Sequence, residues 1–144
     1  MPDNRYIKTI YSVAIEVVNS PHKVFKHLIH DVSKFWPEEF EGESSHLNDE
    51  FVFRTGDSHY SKNKVVELLP DRKITWLVTD SRRKTDNYSW TGTKMIFELN
   101  PEGGSTRLKF TYDGLVFENE RERLVQICDI VIKENLFRLL TNGK

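Results

Sequence analysis

The sequence predicts an α+β fold: a curved antiparallel sheet wrapped round one long C-terminal helix, with two short helices after the first strand. Three observations carry this prediction. An alternating, β-branched stretch opens the chain and stops at Asn19-Ser20-Pro21. Strand-like segments separated by turn residues then run from Phe40 to Asp113. The stretch from Glu118 to Leu140 contains no Pro or Gly and carries one broad apolar stripe at helical spacing.

Each element has its own local reason. In the first strand Thr9, Tyr11, Val13, Ile15 and Val17 share one face. Ser20 is a good N-cap and Pro21 suits the first helical position, so a short helix is expected to about His30. Asp31 to Trp36 adds a second short helix, closed by Pro37. Glu50–Arg54 places Phe51 and Phe53 on one face, and Tyr60–Leu69 follows the turn Thr55-Gly56-Asp57. Pro70-Asp71 separates that strand from Lys73–Val78. Ser81 to Asn87 reads as a polar loop and Tyr88–Leu99 as a long strand. Pro101-Glu102-Gly103-Gly104 then turns the chain back through Ser105–Asp113. In the last helix Leu124, Val125, Cys128, Val131, Ile132, Leu136 and Leu139 form the stripe, and Asn142-Gly143 is the stop.

Composition narrows the function classes. A chain of 144 residues is one domain by size, large enough to bury a core without disulfides or a structural metal. Lys plus Arg number 21 and Asp plus Glu 22, so the near-neutral balance argues against a nucleic-acid binder. No apolar run is long enough for a membrane span. The opening residues lack the pattern of a secretory signal, and a cytoplasmic location is expected. The single cysteine, Cys128, excludes an internal disulfide and a Cys-rich zinc site.

Three stretches resemble the START-like (SRPBCC) superfamily, and within it the subgroup named for the activator of the ninety-kilodalton heat-shock protein ATPase. Ser20-Pro21-His22-Lys23-Val24-Phe25 looks like the family's first helix opening. Val65 to Trp76, with Pro70-Asp71-Arg72 at its centre, looks like the central hairpin. Phe97 to Leu108 with Gly114-Leu115 looks like the last hairpin, and Leu136 to Lys144 also fits. The resemblance spans nearly the whole chain and implies the helix-grip fold. It further implies a cavity between sheet and helix. Proteins of this fold bind apolar ligands, act on polyketides or serve as co-chaperone parts, so it leaves function open.

On that resemblance the candidate ligand contacts are the inward-facing apolar residues. These are Trp76 and Val78, Met95 and Phe97, Phe110 and Tyr112, with Cys128 and Ile132 from the helix. Trp36, Phe51 and Phe53 would close the mouth, and the Tyr112 hydroxyl would orient the ligand. The same pattern also describes a tightly packed core. Ile130 and Phe137 lie seven residues apart on the opposite side of the helix and are candidates for a homodimer or chaperone contact.

Other groupings read as structure. His22, His27 and His30 lie near the first helix, but His22 sits well round it from the other two, so no metal site is expected. Gly56-Asp57-Ser58-His59 brings serine, histidine and acid together only as neighbours in a turn, so no catalytic residue is expected there. Glu38, Glu39, Glu41 and Glu43 read as an exposed acidic connection, and Arg82-Arg83-Lys84 as a solvated loop that could dock an acidic partner. No cofactor is expected. The expected function is non-enzymatic binding of a small hydrophobic molecule. A stress-related, co-chaperone-like adaptor is the alternative, and a cyclase or hydrolase the third.

Overall fold

The structure, a computed structural model, describes residues 6–83 and 89–142. Seven strands form one antiparallel sheet in the order β1-β7-β6-β5-β4-β3-β2. They are β1 Tyr6–Val17, β2 Glu39–Gly42, β3 Glu50–Thr55, β4 His59–Leu69, β5 Lys73–Arg83, β6 Lys94–Glu102 and β7 Ser105–Phe117. Two short helices, α1 Pro21–His30 and α2 Val32–Phe35, separate β1 from β2. The chain ends in a helix built of a 3-10 turn Glu118–Glu120, α3 Arg121–Asp129, a π-helical stretch Ile130–Leu136 and α4 Phe137–Asn142. This is the helix-grip architecture. Among the described residues no helix is long and apolar enough to cross a membrane.

Local chemistry accounts for the frame. The Ser20 side chain accepts from Lys23 N at 3.2 Å and Pro21 opens α1, whose Val24, Phe25 and Leu28 turn inward. Trp36 is already extended, as the residue before Pro37 must be. Gly103 and Gly104 take φ of +50° and +95°, and Glu102 pairs directly with Ser105. That two-residue turn lets β6 run past Pro101. Register shifts at Lys62/Asn63 and Val65/Glu67 leave Thr79 of β5 and Val66 of β4 without a cross-strand partner, two bulges that kink this strand pair.

Three expectations change. β5 continues through Ser81 to Arg83, because Ser81 and Arg83 pair with Ser61 and His59 of β4. Residues 84–88 and 143–144 lie outside the described residues, so the rest of the polar loop, Tyr88 and the Gly143 stop do too. Ser89 to Thr93 is not strand: the turn there is closed by Thr93 N to Trp90 O at 3.1 Å, and β6 begins at Lys94.

The third change concerns the helix. The buried column is Leu124, Cys128, Ile132, Leu136 and Leu140, spaced by four, with Val131 beside it. In a regular α-helix each four-residue step overshoots a full turn by about 40°, so such a column would wind off the sheet. The wider π turn at its centre takes up that drift. It also buries Leu140 fully, with Leu139 partly buried against the core. Asn135 Nδ2 donates to Phe35 O at 3.1 Å, tying this stretch to α2.

Candidate functional site

Most of the inward aromatic residues fill the interior. Trp76, Phe97 and Phe110 are fully buried, and Phe51, Phe53, Val78, Met95, Tyr112, Cys128 and Ile132 are nearly so. Trp76 packs edge-on against Phe51 at 5.0 Å and Phe97 at 4.9 Å, and Phe97 meets Phe110 at 5.1 Å. The Tyr112 hydroxyl donates to Thr93 Oγ1 at 2.8 Å, and burial holds its pKa well above the usual phenol value. Burial likewise pushes the Cys128 thiol up to about 12, so it sits as a neutral apolar group. These residues form the core.

A cleft of about 550 Å³ opens instead at one end of the grip, between the sheet and α3. Its apolar walls are Trp36, Pro37, Trp90 and Ile127. Of the predicted ligand contacts, Trp36 is the one that lines it. Trp36 stacks on Phe53 at 4.6 Å, with planes 6° apart, so the cleft wall is continuous with the core beneath. Trp90 is held edge-on over Tyr112 at 5.9 Å.

The polar side of the cleft is a small network. Glu38 receives a hydrogen bond from Thr55 Oγ1 at 2.6 Å, sits 3.0 Å from His59 Nδ1, and receives a longer one from Trp36 Nε1 at 3.4 Å. The side chains of Glu38 and His59 are only 21% and 20% exposed, so the pair is shielded. Burial works to raise the Glu38 pKa, but the bonds from His59 and Thr55 outweigh it and hold the carboxyl below the ordinary value. An ionised carboxylate only accepts, so the proton between the two groups sits on His59 Nδ1.

Arg83 and Arg123 complete this side, both joined to Glu120 at the helix entry, at 2.7 Å and 3.4 Å. Deeper on the same inward face of β4 and β5, the buried atoms Asn63 Oδ1, Ser81 Oγ and Trp76 Nε1 have no hydrogen-bond partner among the described residues. Polar character therefore runs inward from His59 along one wall.

In the sequence Glu38 belongs to an acidic run, His59 to a turn and Arg83 to a polar loop, and no local pattern joins them to one another or to Arg123. The signal for His59 was present: it opens the alternation His59, Ser61, Asn63, Val65, whose other three members are buried. Glu38 follows Trp36-Pro37, which turns it away from the exposed run Glu39, Glu41 and Glu43. Ser58 also lines the cleft, but its hydroxyl donates to Thr55 O at 2.8 Å within the hairpin. The helix histidines are scattered: His27 meets Asp31 at 2.7 Å and His22 meets Asp71 at 3.0 Å. Ile130 and Phe137 are 48% and 39% exposed on the outer side of the helix.

No family model matches the chain, and no curated protein matches its sequence. Solved structures do match. The Aha1 dimer from Colwellia psychrerythraea aligns over 94% of this chain and 98% of its own, at 20% identity and TM-score 0.76. Mll3558 from Rhizobium loti aligns over 90% and 98%, at 18% identity and TM-score 0.67. CalU16 from Micromonospora echinospora aligns over 96% and 86%, at 10% identity and TM-score 0.68. With this likeness and its own seven-stranded sheet closed on a C-terminal helix, the chain has the helix-grip fold, shared with the Aha1 structure.

Proposed function

We propose that the protein binds a small, largely apolar molecule at the open end of the grip, without turnover. The observation that carries this is the cleft itself: about 550 Å³, with Trp36, Trp90 and Ile127 facing a shielded polar pair. Apolar walls with a few fixed polar groups are what a small-molecule site requires. The driving force is burial of ligand surface, about 25 cal/mol per Å² before ordering costs.

The probe of choice is 1-anilinonaphthalene-8-sulfonate, whose rings suit the tryptophan walls and whose sulfonate suits the rim carrying Arg83 and Arg123. Saturable one-to-one binding is expected, weakened about tenfold by Trp90→Ala, a loss of about 1.4 kcal/mol. Absence of saturable binding, or equal affinity in Trp90→Ala and Ile127→Asp, overturns the reading.

A second reading, self-association or an adaptor contact, has its own support in the exposed apolar pair Ile130 and Phe137. One fold neighbour is described as a dimer. If this face is used, sedimentation velocity finds a species larger than the single chain that Phe137→Ser converts to monomer. A monomer at all concentrations removes the dimer form of this reading.

A further inference from the structure

We infer that the cleft takes a flat, neutral phenol and that His59 accepts its hydroxyl proton, with Glu38 holding the imidazole in the accepting form. This inference rests on the binding reading above and specifies its ligand. Glu38 accepts from three groups, so its carboxylate is fixed in place and ionised. His59 Nδ1 then carries the proton that points at Glu38, and in the neutral ring Nε2 is left as an acceptor. Among the described residues no group is hydrogen-bonded to Nε2, while the ring lines the cleft and lies 6.2 Å from the Trp90 ring.

The ligand class follows from that acceptor. A ligand entering as a carboxylate gains no hydrogen bond from a bare Nε2. An aliphatic alcohol donates one but is too weak an acid to lose its proton. A phenol acidified by an electron-withdrawing group donates, is acidic enough to ionise beside an imidazole, and brings a flat ring suited to the tryptophan walls. In the transfer the phenol O–H bond breaks and its electron pair stays on oxygen. A new N–H bond forms at Nε2, and no other reactant takes part.

The charges around His59 favour this. Glu38 stabilises the imidazolium on one side. Arg83 pairs across the sheet with His59, and Arg123 faces the same cleft from α3, both sharing Glu120. Both guanidinium groups line the cleft that the His59 ring lines, on the side where an anion is better tolerated than on an acidic wall. Behind the hairpin, Arg54, Asp57 and Arg82 line a shallower hollow that also reaches His59.

The test uses 4-nitrophenol, whose phenolate is distinguished from the phenol by absorbance. It is run at a pH where the free probe is mainly protonated. Displacement of 1-anilinonaphthalene-8-sulfonate reports occupancy of the cleft. The bound probe is expected to show a phenolate-to-phenol ratio about tenfold above that of free probe, a shift of about one pKa unit. His59→Gln, measured at 4-nitrophenol concentrations that saturate the cleft of that variant, is expected to lose this enrichment, and Glu38→Gln to reduce it.

Displacement without enrichment overturns the inference and leaves cleft binding standing. So does enrichment that survives His59→Gln, or a naphthalene sulfonate that 4-nitrophenol fails to displace. Failure of the naphthalene sulfonate itself to bind the wild type overturns both.

Discussion

Two aromatic groups in this molecule are alike in composition and different in consequence. Under the middle of the sheet Trp76, Phe51, Phe53, Phe97 and Phe110 contact one another from several strands and exclude water. At the open end Trp36 and Trp90 have packed neighbours on one side and the cleft on the other. The first group is surrounded by partners, so its surface is already used for folding. The second group keeps surface that a ligand can cover. What separates them is their place on the sheet. Trp76 sits between two paired strands, whereas Trp36 and Trp90 stand on the connections that leave it.

The largest effect that sharpens this comparison is the paired truncation of one tryptophan from each group. Trp76→Ala is expected to cost about 3–5 kcal/mol in urea unfolding, since it empties the best-packed part of the core. Trp90→Ala is expected to cost clearly less and to act on ligand affinity. Equal losses of stability would erase the distinction between core and site.

A middle-sized effect lies at the seam between the two groups. A Cβ at Gly114 of β7 would fall 2.5 Å from Thr93 Cγ2 and 2.8 Å from Thr93 Cα. Thr93 is the residue that receives the Tyr112 hydroxyl and holds the turn carrying Trp90. Gly114→Ala is therefore expected to cost about 1–3 kcal/mol by overpacking. It should also disturb Trp90 fluorescence, whereas a purely interior defect would leave that signal unmoved.

The smallest effect is electrostatic and belongs to the cleft alone. The Glu38 pKa is lowered from its ordinary 4.5 in the folded protein, by hydrogen bonds that outweigh burial. A lowered carboxyl pKa adds stability that is complete above the unfolded-state value. It is lost as pH falls through the folded-state value. Glu38→Gln is expected to flatten the acid side of the stability–pH curve below about pH 4.5 and to leave its alkaline side alone. An unchanged acid limb would mean that the network around Glu38 does not hold in solution.

Much of the fold was legible because it rests on local patterns. Thr9 and Val17 are buried where the alternation put them, while Ile10 and Glu16 between them are exposed. The Ser20-Pro21 cap and the Gly103-Gly104 turn were readable for the same reason, since each is settled within a few residues. The helix was harder. Its stripe was visible, but the full burial of Leu140 beside the half-buried Leu139 depends on a π turn that no spacing rule on a straight helix includes.

The site was legible only in pieces. Trp36 was named as a mouth residue and lines the cleft, while Phe51 and Phe53 lie buried below it. Alternation along a strand tells which face a side chain takes. It does not tell whether that face meets another element or open space at a given height. For Phe97 and Phe110 it met the core, and for His59 it met the cleft.

By itself the sequence determined the order of elements, their inward faces, the caps and turns, and the apolar character of whatever the sheet encloses. These follow from backbone stereochemistry and from periodicity, both properties of neighbours in the chain. Only the tertiary structure decided that Glu38 and His59, 21 residues apart, meet at 3.0 Å, and that Arg83 and Arg123 meet over Glu120. Such contacts depend on how far the sheet bends and where the helix lands on it. The bulges of β4 and β5 and the π turn act on both, through packing summed over the whole domain.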